Sequence, residues 1–347
     1  MAKSARMSDV AKLAGVSTMT VSRVLNGSAN VTDGLRDKVF AAIEHLRYQR
    51  NELARSLREQ RSRQIGILVP YLLDPFFATC AHVISTVARQ HGYSVVLSTT
   101  NEDPRTEYEE ASRMLRRNVE GLIVIPSHPR TGASPLLASE FASMPIVALD
   151  RPIEGSRFDS LLVENEHGAK IGTKHLLSLG HKRIAYIGLS DNLYTMCMRH
   201  RGYNSAMEAA GRKPVAVICT SALEDALVKV RELLSSKNRP TALFCANNLT
   251  TRHVLHSLQV FGIYPPNGIA LVGFDDFETA DLLRPGITVV RQPNELLGRT
   301  AADVLFQRLD DFRKPKAGKR TVLPVELIVR GSCGASIVPE ASARSSG

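Results

Sequence analysis

The chain has 347 residues, 44% of them hydrophobic and 22% charged, and carries a net charge of +10. Such a composition is that of a globular protein of two or three units rather than a disordered or fibrous one. No apolar run approaches the roughly 20 residues of a membrane-spanning helix, and the opening MAKSARMSDVAKLAGV lacks the apolar core of a secretion signal, so a cytoplasmic protein is expected. The charge is unevenly placed. Residues 1–63 hold twelve Lys/Arg against six Asp/Glu, which is +6 of the total. A basic module on a nearly neutral body fits nucleic-acid binding, or a solvated basic face without a partner.

In chain order, residues 8–25 read SDVAKLAGVSTMTVSRVL. Ser8 or Asp9 can cap a short helix with Val10, Ala11, Leu13 and Ala14 as its apolar positions. Gly15 then supplies a tight turn, and Ser17 caps a second helix with Val21, Val24 and Leu25 on one face. Two short helices joined by a glycine turn predict a helix-turn-helix, whose second helix enters the major groove. A third amphipathic segment, about 32–46, brings Leu35, Val39, Ala42, Ile43 and Leu46 to close a small core. On the exposed face of the second helix, Thr18, Met19 and Arg23 can reach base edges. Arg grips guanine through paired hydrogen bonds worth roughly 1–3 kcal/mol of discrimination, and Met19 offers only apolar contact. Ser17, Thr20, Ser22 and Asn26 are placed to bond phosphates, which sets register without reading sequence.

This run through Asn26-Gly27 resembles the headpiece of the lactose/galactose-repressor (LacI/GalR) family. The resemblance continues through YQRNELARSLR (48–58), which is similar to the family's hinge helix. It implies that Leu57 wedges between base pairs in the minor groove, with Ala54 and Arg55 beside it. An apolar wedge there unstacks a base step and kinks the duplex, at a cost that new contacts offset.

From residue 64 the pattern becomes α/β. Apolar runs at 65–70, 93–99, 121–126, 145–150 and 160–165 are followed by a second series at 183–189, 215–220, 242–247, 269–276 and 287–292. Helical stretches such as 104–119 and 223–237 lie between them. Continuous apolar strands alternating with helices predict two doubly wound parallel-sheet subdomains with a cleft between them. The family resemblance extends over about 6–333, through HLLSLGHKRIAYIG (175–188), RHRGYNSAM (199–207), GIALVGFDD (268–276), ITVVRQP (287–293) and ELIVRGSC (326–333). It implies a periplasmic-binding-protein-like core crossed three times, near 163, 292 and 323. The expected division is therefore a headpiece at 1–48 and a hinge at 49–63. A core at 64–333 follows, with one subdomain at 64–163 and 293–322 and the other at 164–292 and 323–333. The tail, 334–347, is expected to be disordered. It lacks the leucine heptads of a tetramer-forming coiled coil, so a homodimer is expected.

Ligands in such sheets sit beyond the carboxyl ends of the strands. Tyr71, Phe76 and Phe77 follow the first strand, where an aromatic face suits the apolar side of a sugar or a base, while one of the two phenylalanines is expected to pack in the core instead. Asp150, Asn247 and Asp275 end strands and can accept from and donate to vicinal hydroxyls. Gln292 lies at an expected crossing, and Arg199 matches the family's cleft arginine. Where many sugar-responsive relatives carry Asn-Asp, this chain has Asn247-Asn248. A sugar or sugar acid is the expected effector of an allosteric regulator, a repressor by the family's usual output. Its other partner is double-stranded operator DNA.

An enzyme is not expected: the dinucleotide, P-loop and nucleophile-elbow patterns are all missing. His253 and His256 fall three apart on a helix but lack a further ligand. The five cysteines are scattered, without C-x-x-C spacing, which predicts reduced thiols rather than disulfides or zinc. No cofactor is expected.

Overall fold

The computed structural model describes residues 5–25, 31–48, 61–127, 133–155, 157–190, 192–311 and 317–335. Asn26, Ala54, Arg55, Leu57, most of the hinge segment and the tail from 336 lie outside the described residues. The chain forms two compact units, 1–62 and 63–347.

The first unit is built on helices α1 (Met7–Ala14), α2 (Thr18–Leu25) and α3 (Asp33–His45). The first helix starts a little earlier than its cap signals indicate. Arg6 occupies the cap position, and the Asp9 carboxylate reaches back to accept the Arg6 N–H at 2.8 Å. Gly15 ends α1 at φ +67°, a left-handed conformation that costs glycine nothing. Ser17 Oγ accepts the Thr20 N–H at 3.1 Å, satisfying one orphan donor of α2. Val10, Ala11, Val21, Val24, Val31, Val39 and Ala42 form the core. Leu13, expected on the inward face of α1, is half exposed because it stands at the edge of that stripe.

The second unit contains two six-stranded sheets. The first is ordered β11-β5-β4-β3-β1-β2, from β1 (Gln64–Val69), β2 (Ser94–Thr99), β3 (Gly121–Val124), β4 (Ile146–Leu149), β5 (Asp159–Val163) and β11 (Arg320–Leu323), and every pairing is parallel. The second is ordered β12-β10-β9-β8-β6-β7, from β6 (Ile184–Gly188), β7 (Val215–Ile218), β8 (Ala242–Cys245), β9 (Ala270–Phe274), β10 (Thr288–Arg291) and β12 (Glu326–Ile328). Its last pairing, β10 with β12, is antiparallel, so this sheet is not purely parallel. Each sheet thus repeats the doubly wound order 2-1-3-4-5 and receives a sixth strand from the end of the chain.

Successive strand residues point to opposite faces, and both faces are covered. In the first sheet, Ile123 and Ile125 pack under α4 (Pro75–Gln90) and α10 (Asn294–Asp310), while Leu122 and Val124 pack against α5 (Pro104–Arg116). In the second, α6 (Asn165–Ser178) and α7 (Tyr194–Ala209) cover one face, and α8 (Leu223–Ser235) and α9 (Asn248–Val260) the other. Helix α10 follows a strand of the second sheet yet packs on the first, and β11 and β12 divide between the two. The chain therefore passes between the sheets after β5, after β10 and after β11. All five cysteines are free thiols. Among the described residues, no helix is long and apolar enough to cross a membrane and no acid, His or Cys cluster is placed to hold a metal.

Candidate nucleic-acid interface and ligand cleft

In the first unit, α2 buries Val21 and Val24 and turns its other face outward. Thr18, Met19 and Arg23 are exposed there, Met19 to 64%, alongside Ser17 and the half-buried Thr20 and Ser22. Met19, two-thirds in water, adds little to the core of this unit. Arg23 stands one turn further along the same face.

In the second unit, the polar residues that end the strands converge. Asp150, after β4, and Asp275, after β9, occupy equivalent places in the two sheets, and both adopt left-handed backbone, φ 66° and 71°. That geometry turns each carboxylate off its strand end, and aspartate tolerates it better than most residues. Arg199, on α7, is 2% exposed and links three elements. It donates to Asn165 Oδ1 at 2.8 Å, to the Ala246 carbonyl at 2.8 Å and to Asp275 Oδ2 at 3.2 Å. Its guanidinium lies 3.7 Å over the Phe274 ring. Gln292 Nε2 donates to the other Asp275 oxygen at 2.5 Å. Across the cleft, Asn248 Nδ2 donates at 3.0 Å to Asp74 Oδ1, which caps α4, so the start of α9 is tied to the start of α4.

The first sheet adds a second guanidinium. Arg151 is held by both oxygens of Glu102, at 2.6 and 2.7 Å, and donates to the Pro126 carbonyl at 3.0 Å. Behind it, fully buried Glu107 accepts the Ser127 N–H at 2.5 Å. Burial pushes Asp150 up to about 6, against the opposing pull of Arg151 and Arg199. It also raises Asp74, helped by the charge of Asp275.

The expected ligand residues therefore take different places. Asp150, Arg199, Asp275 and Gln292 come together, and Tyr71 stands partly exposed after β1. Asn247 is half-buried and caps α9, accepting the Thr250 N–H at 2.9 Å, so its neighbour Asn248 is the one that faces Asp74. Phe76 and Phe77 pack edge to face, 5.3 Å apart, within the core under α4 and offer a ligand little surface. Glu102, Arg151, Asn165 and Asn248 went unrecognised in the sequence. A polar residue just past an apolar run was the one available signal, and Arg151, Asn165 and Asn248 carry it.

Glu107 supports a test of its own. Burial raises its carboxyl to about 7, from 4.5 when free. The native state then holds the proton more tightly than the unfolded chain, so this contribution to stability is full at low pH and is lost as pH rises through about 7. Glu107→Gln keeps the acceptor for Ser127. It is expected to be more stable than the parent at pH 8 by about 1–3 kcal/mol, and near parity at pH 4.5. Urea unfolding at both pH values checks this; a difference that does not change with pH would show that burial leaves the Glu107 carboxyl at its free value.

A model of the lacI family of bacterial regulatory proteins matches residues 6–51, and one of the periplasmic binding protein-like domain matches 173–333. The chain is 30% identical over 333 residues to the HTH-type transcriptional repressor PurR of Photobacterium profundum, covering 94% of this chain and 98% of the relative. It is 30% identical over 324 residues to the ribose operon repressor of Haemophilus influenzae, covering 92% and 95%. The crystal structure of the lac repressor dimer bound to operator and the anti-inducer ONPF superposes with a TM-score of 0.84 at 27% identity, covering 96% of this chain and all of that one.

Proposed function

The chain belongs to the lacI family of bacterial regulatory proteins, DNA-binding transcriptional repressors rather than enzymes, and on that premise we propose that it holds a near-palindromic operator as a dimer and is controlled by a small polyhydroxyl effector, a sugar or sugar acid. The observation that carries this reading is the outward face of α2, with Thr18, Met19 and Arg23 presented over a buried seam of Val21 and Val24. Ser17, Thr20, Ser22 and Asn26 set the phosphate register, and Leu57 with Ala54 and Arg55 opens the minor groove at the centre of the site. A two-fold dimer reads half-sites about one helical turn apart. Such a protein works in the cytoplasm, where the operator is.

The effector is held at the strand ends, by Asp150, Arg199, Asp275 and Gln292, with Tyr71 at the rim. Asn248 takes the place first assigned to Asn247. The Asn248–Asp74 bond joins the two halves of the core, so a ligand that competes for either partner changes how the halves meet. Regulation requires that the ligand bind the two arrangements unequally, with ~1–3 kcal/mol of coupling typical. The hinge at 49–63 carries that difference to the headpiece.

Selection of binding sites from a random DNA library at physiological salt tests the DNA half of the reading. One palindrome is expected. Arg23→Ala should lose about 1–3 kcal/mol and relax preference at one symmetric pair of positions. An unchanged sequence profile would remove Arg23 from base reading.

A further inference from the structure

The cleft has more unmet acceptors than unmet donors. Among the described residues, Asp150 Oδ1, Asn248 Oδ1 and Gln292 Oε1 are buried there without a hydrogen-bond partner, against one donor, Arg151 Nε. Asp150 is 4% exposed, Asn248 1% and Gln292 5%. The amide orientations are set by chemistry. Asn248 and Gln292 each spend their NH2 on a carboxylate, which accepts only, so the oxygen of each is left over. Charge points the same way. Both guanidiniums of the cleft are engaged, Arg151 by Glu102 and Arg199 by Asp275. Four carboxylates, Asp74, Glu102, Asp150 and Asp275, thus stand against two guanidiniums. Arg151 Nε stands 3.4 Å from Asp150 Oδ2, and Arg252 on α9 is the weakest influence on Asp74. Hydrogen bonds tie Gln292 to Asp275 and Asn248 to Asp74, and the charge of Asp275 reaches both Asp74 and Asp150.

We infer that the effector is a polyhydroxyl molecule of zero or positive charge, whose hydroxyl or ammonium donors meet Asp150, Asn248 and Gln292, and that carboxylated and phosphorylated counterparts are refused. This rests on the polyhydroxyl reading above and narrows it, removing the sugar acids. An anionic group in the cleft finds both guanidiniums already paired with carboxylates, adds acceptors where unpaired acceptors already predominate, and stands against the carboxylates in excess. A neutral polyol supplies the missing donors, and an amino sugar supplies them with a compensating charge. Burial raises both Asp74 and Asp150, and the charge of Asp275 adds to each, while Arg151 and Arg199 pull Asp150 the other way.

The test uses the purified full-length chain and matched panels. Common aldopentoses, aldohexoses and hexosamines are set against their uronic acids, aldonic acids and phosphate esters, with thermal shift followed by calorimetry on each hit. Stabilisation is expected from neutral or amine-bearing members, each binding at least about tenfold more tightly than its anionic counterpart. An acid or phosphate that binds as tightly as its neutral parent would overturn the inference while leaving the polyhydroxyl reading intact. Silence from both halves of the panel would overturn that reading, and the inference with it. Asp150→Asn provides the second arm, because asparagine accepts the left-handed backbone that Asp150 adopts. Its neutral-to-anion affinity ratio should fall about tenfold or more. An unchanged ratio would show that Asp150 does not discriminate.

Discussion

Arg199→Ala is expected to destabilise the core by about 3–5 kcal/mol, because it strands a buried carboxylate. Arg199 is the guanidinium paired with Asp275, which is itself 8% exposed. Without it, Asp275 keeps only the Gln292 amide, Asn165 Oδ1 loses its donor, and the Ala246 carbonyl loses a charge-assisted bond. The stacking over Phe274 is lost as well. A surface pair such as Arg105–Glu109, with side chains 85% and 52% exposed, makes the contrast: its loss is worth at most about 1 kcal/mol. For a core of this size the expected fall in Tm is roughly 10 °C. Adding Asp275→Asn should recover part of the loss, since the carboxylate stranded by the loss of Arg199 is then neutral. Thermal and urea unfolding of the single and double variants read this directly; a single-variant loss below about 1 kcal/mol would mean that water reaches Asp275 and the network is not closed.

Gly202→Ala should also destabilise, by about 1–3 kcal/mol or more, reversing the usual sign for this substitution in a helix. In an exposed helix interior alanine gains about 1 kcal/mol over glycine. At Gly202, a Cβ would fall inside the van der Waals envelope of the Glu166 carbonyl oxygen, with the Ala169 Cβ 3.0 Å away. Neither is the loose end of a flexible side chain, so α6 and α7 must separate. Arg199 lies one turn earlier on α7 and reaches Asn165 at the start of α6, so the same displacement pulls it away from its partners. Calorimetric effector binding should therefore weaken along with stability. A variant as stable as the parent, or more so, would show that the two helices can part without cost.

The architecture was legible wherever a single stretch of chain carries its own signal. Ten strands announce themselves as apolar runs, eight of them buried on both faces, and each falls where the pattern places it. The strands β11 and β12 escaped notice because each is only four or three residues long and opens on a charged residue. They stand at sheet edges and are largely exposed or half-buried, so their residues need not be apolar. The Gly15 turn and the Ser17 cap were legible because both act within four residues of themselves.

The cleft was legible only in part. Asp150 and Asp275 were visible as acids closing apolar strands. Which of two adjacent asparagines caps α9 is not a property of the pair Asn247-Asn248, since either could serve. The backbone entering the helix decides it, and the partner of Asn248 is Asp74, 174 residues away. Phe76 and Phe77 look the same in sequence whether they line a site or fill a core.

By itself, then, the sequence determined the alternation of strands and helices, the capped reading helix with its outward Met19 and Arg23, and the family. These follow from local periodicity, turn chemistry and a long contiguous motif. Only the tertiary structure decided which charges cancel. Glu102 pairs with Arg151 and Asp275 with Arg199 across 49 and 76 residues of chain, and the carboxylates left over set the character of the cleft. The physical reason is that Coulomb and hydrogen-bond energies depend on separation in space, and folding brings together groups that their order in the chain leaves unrelated.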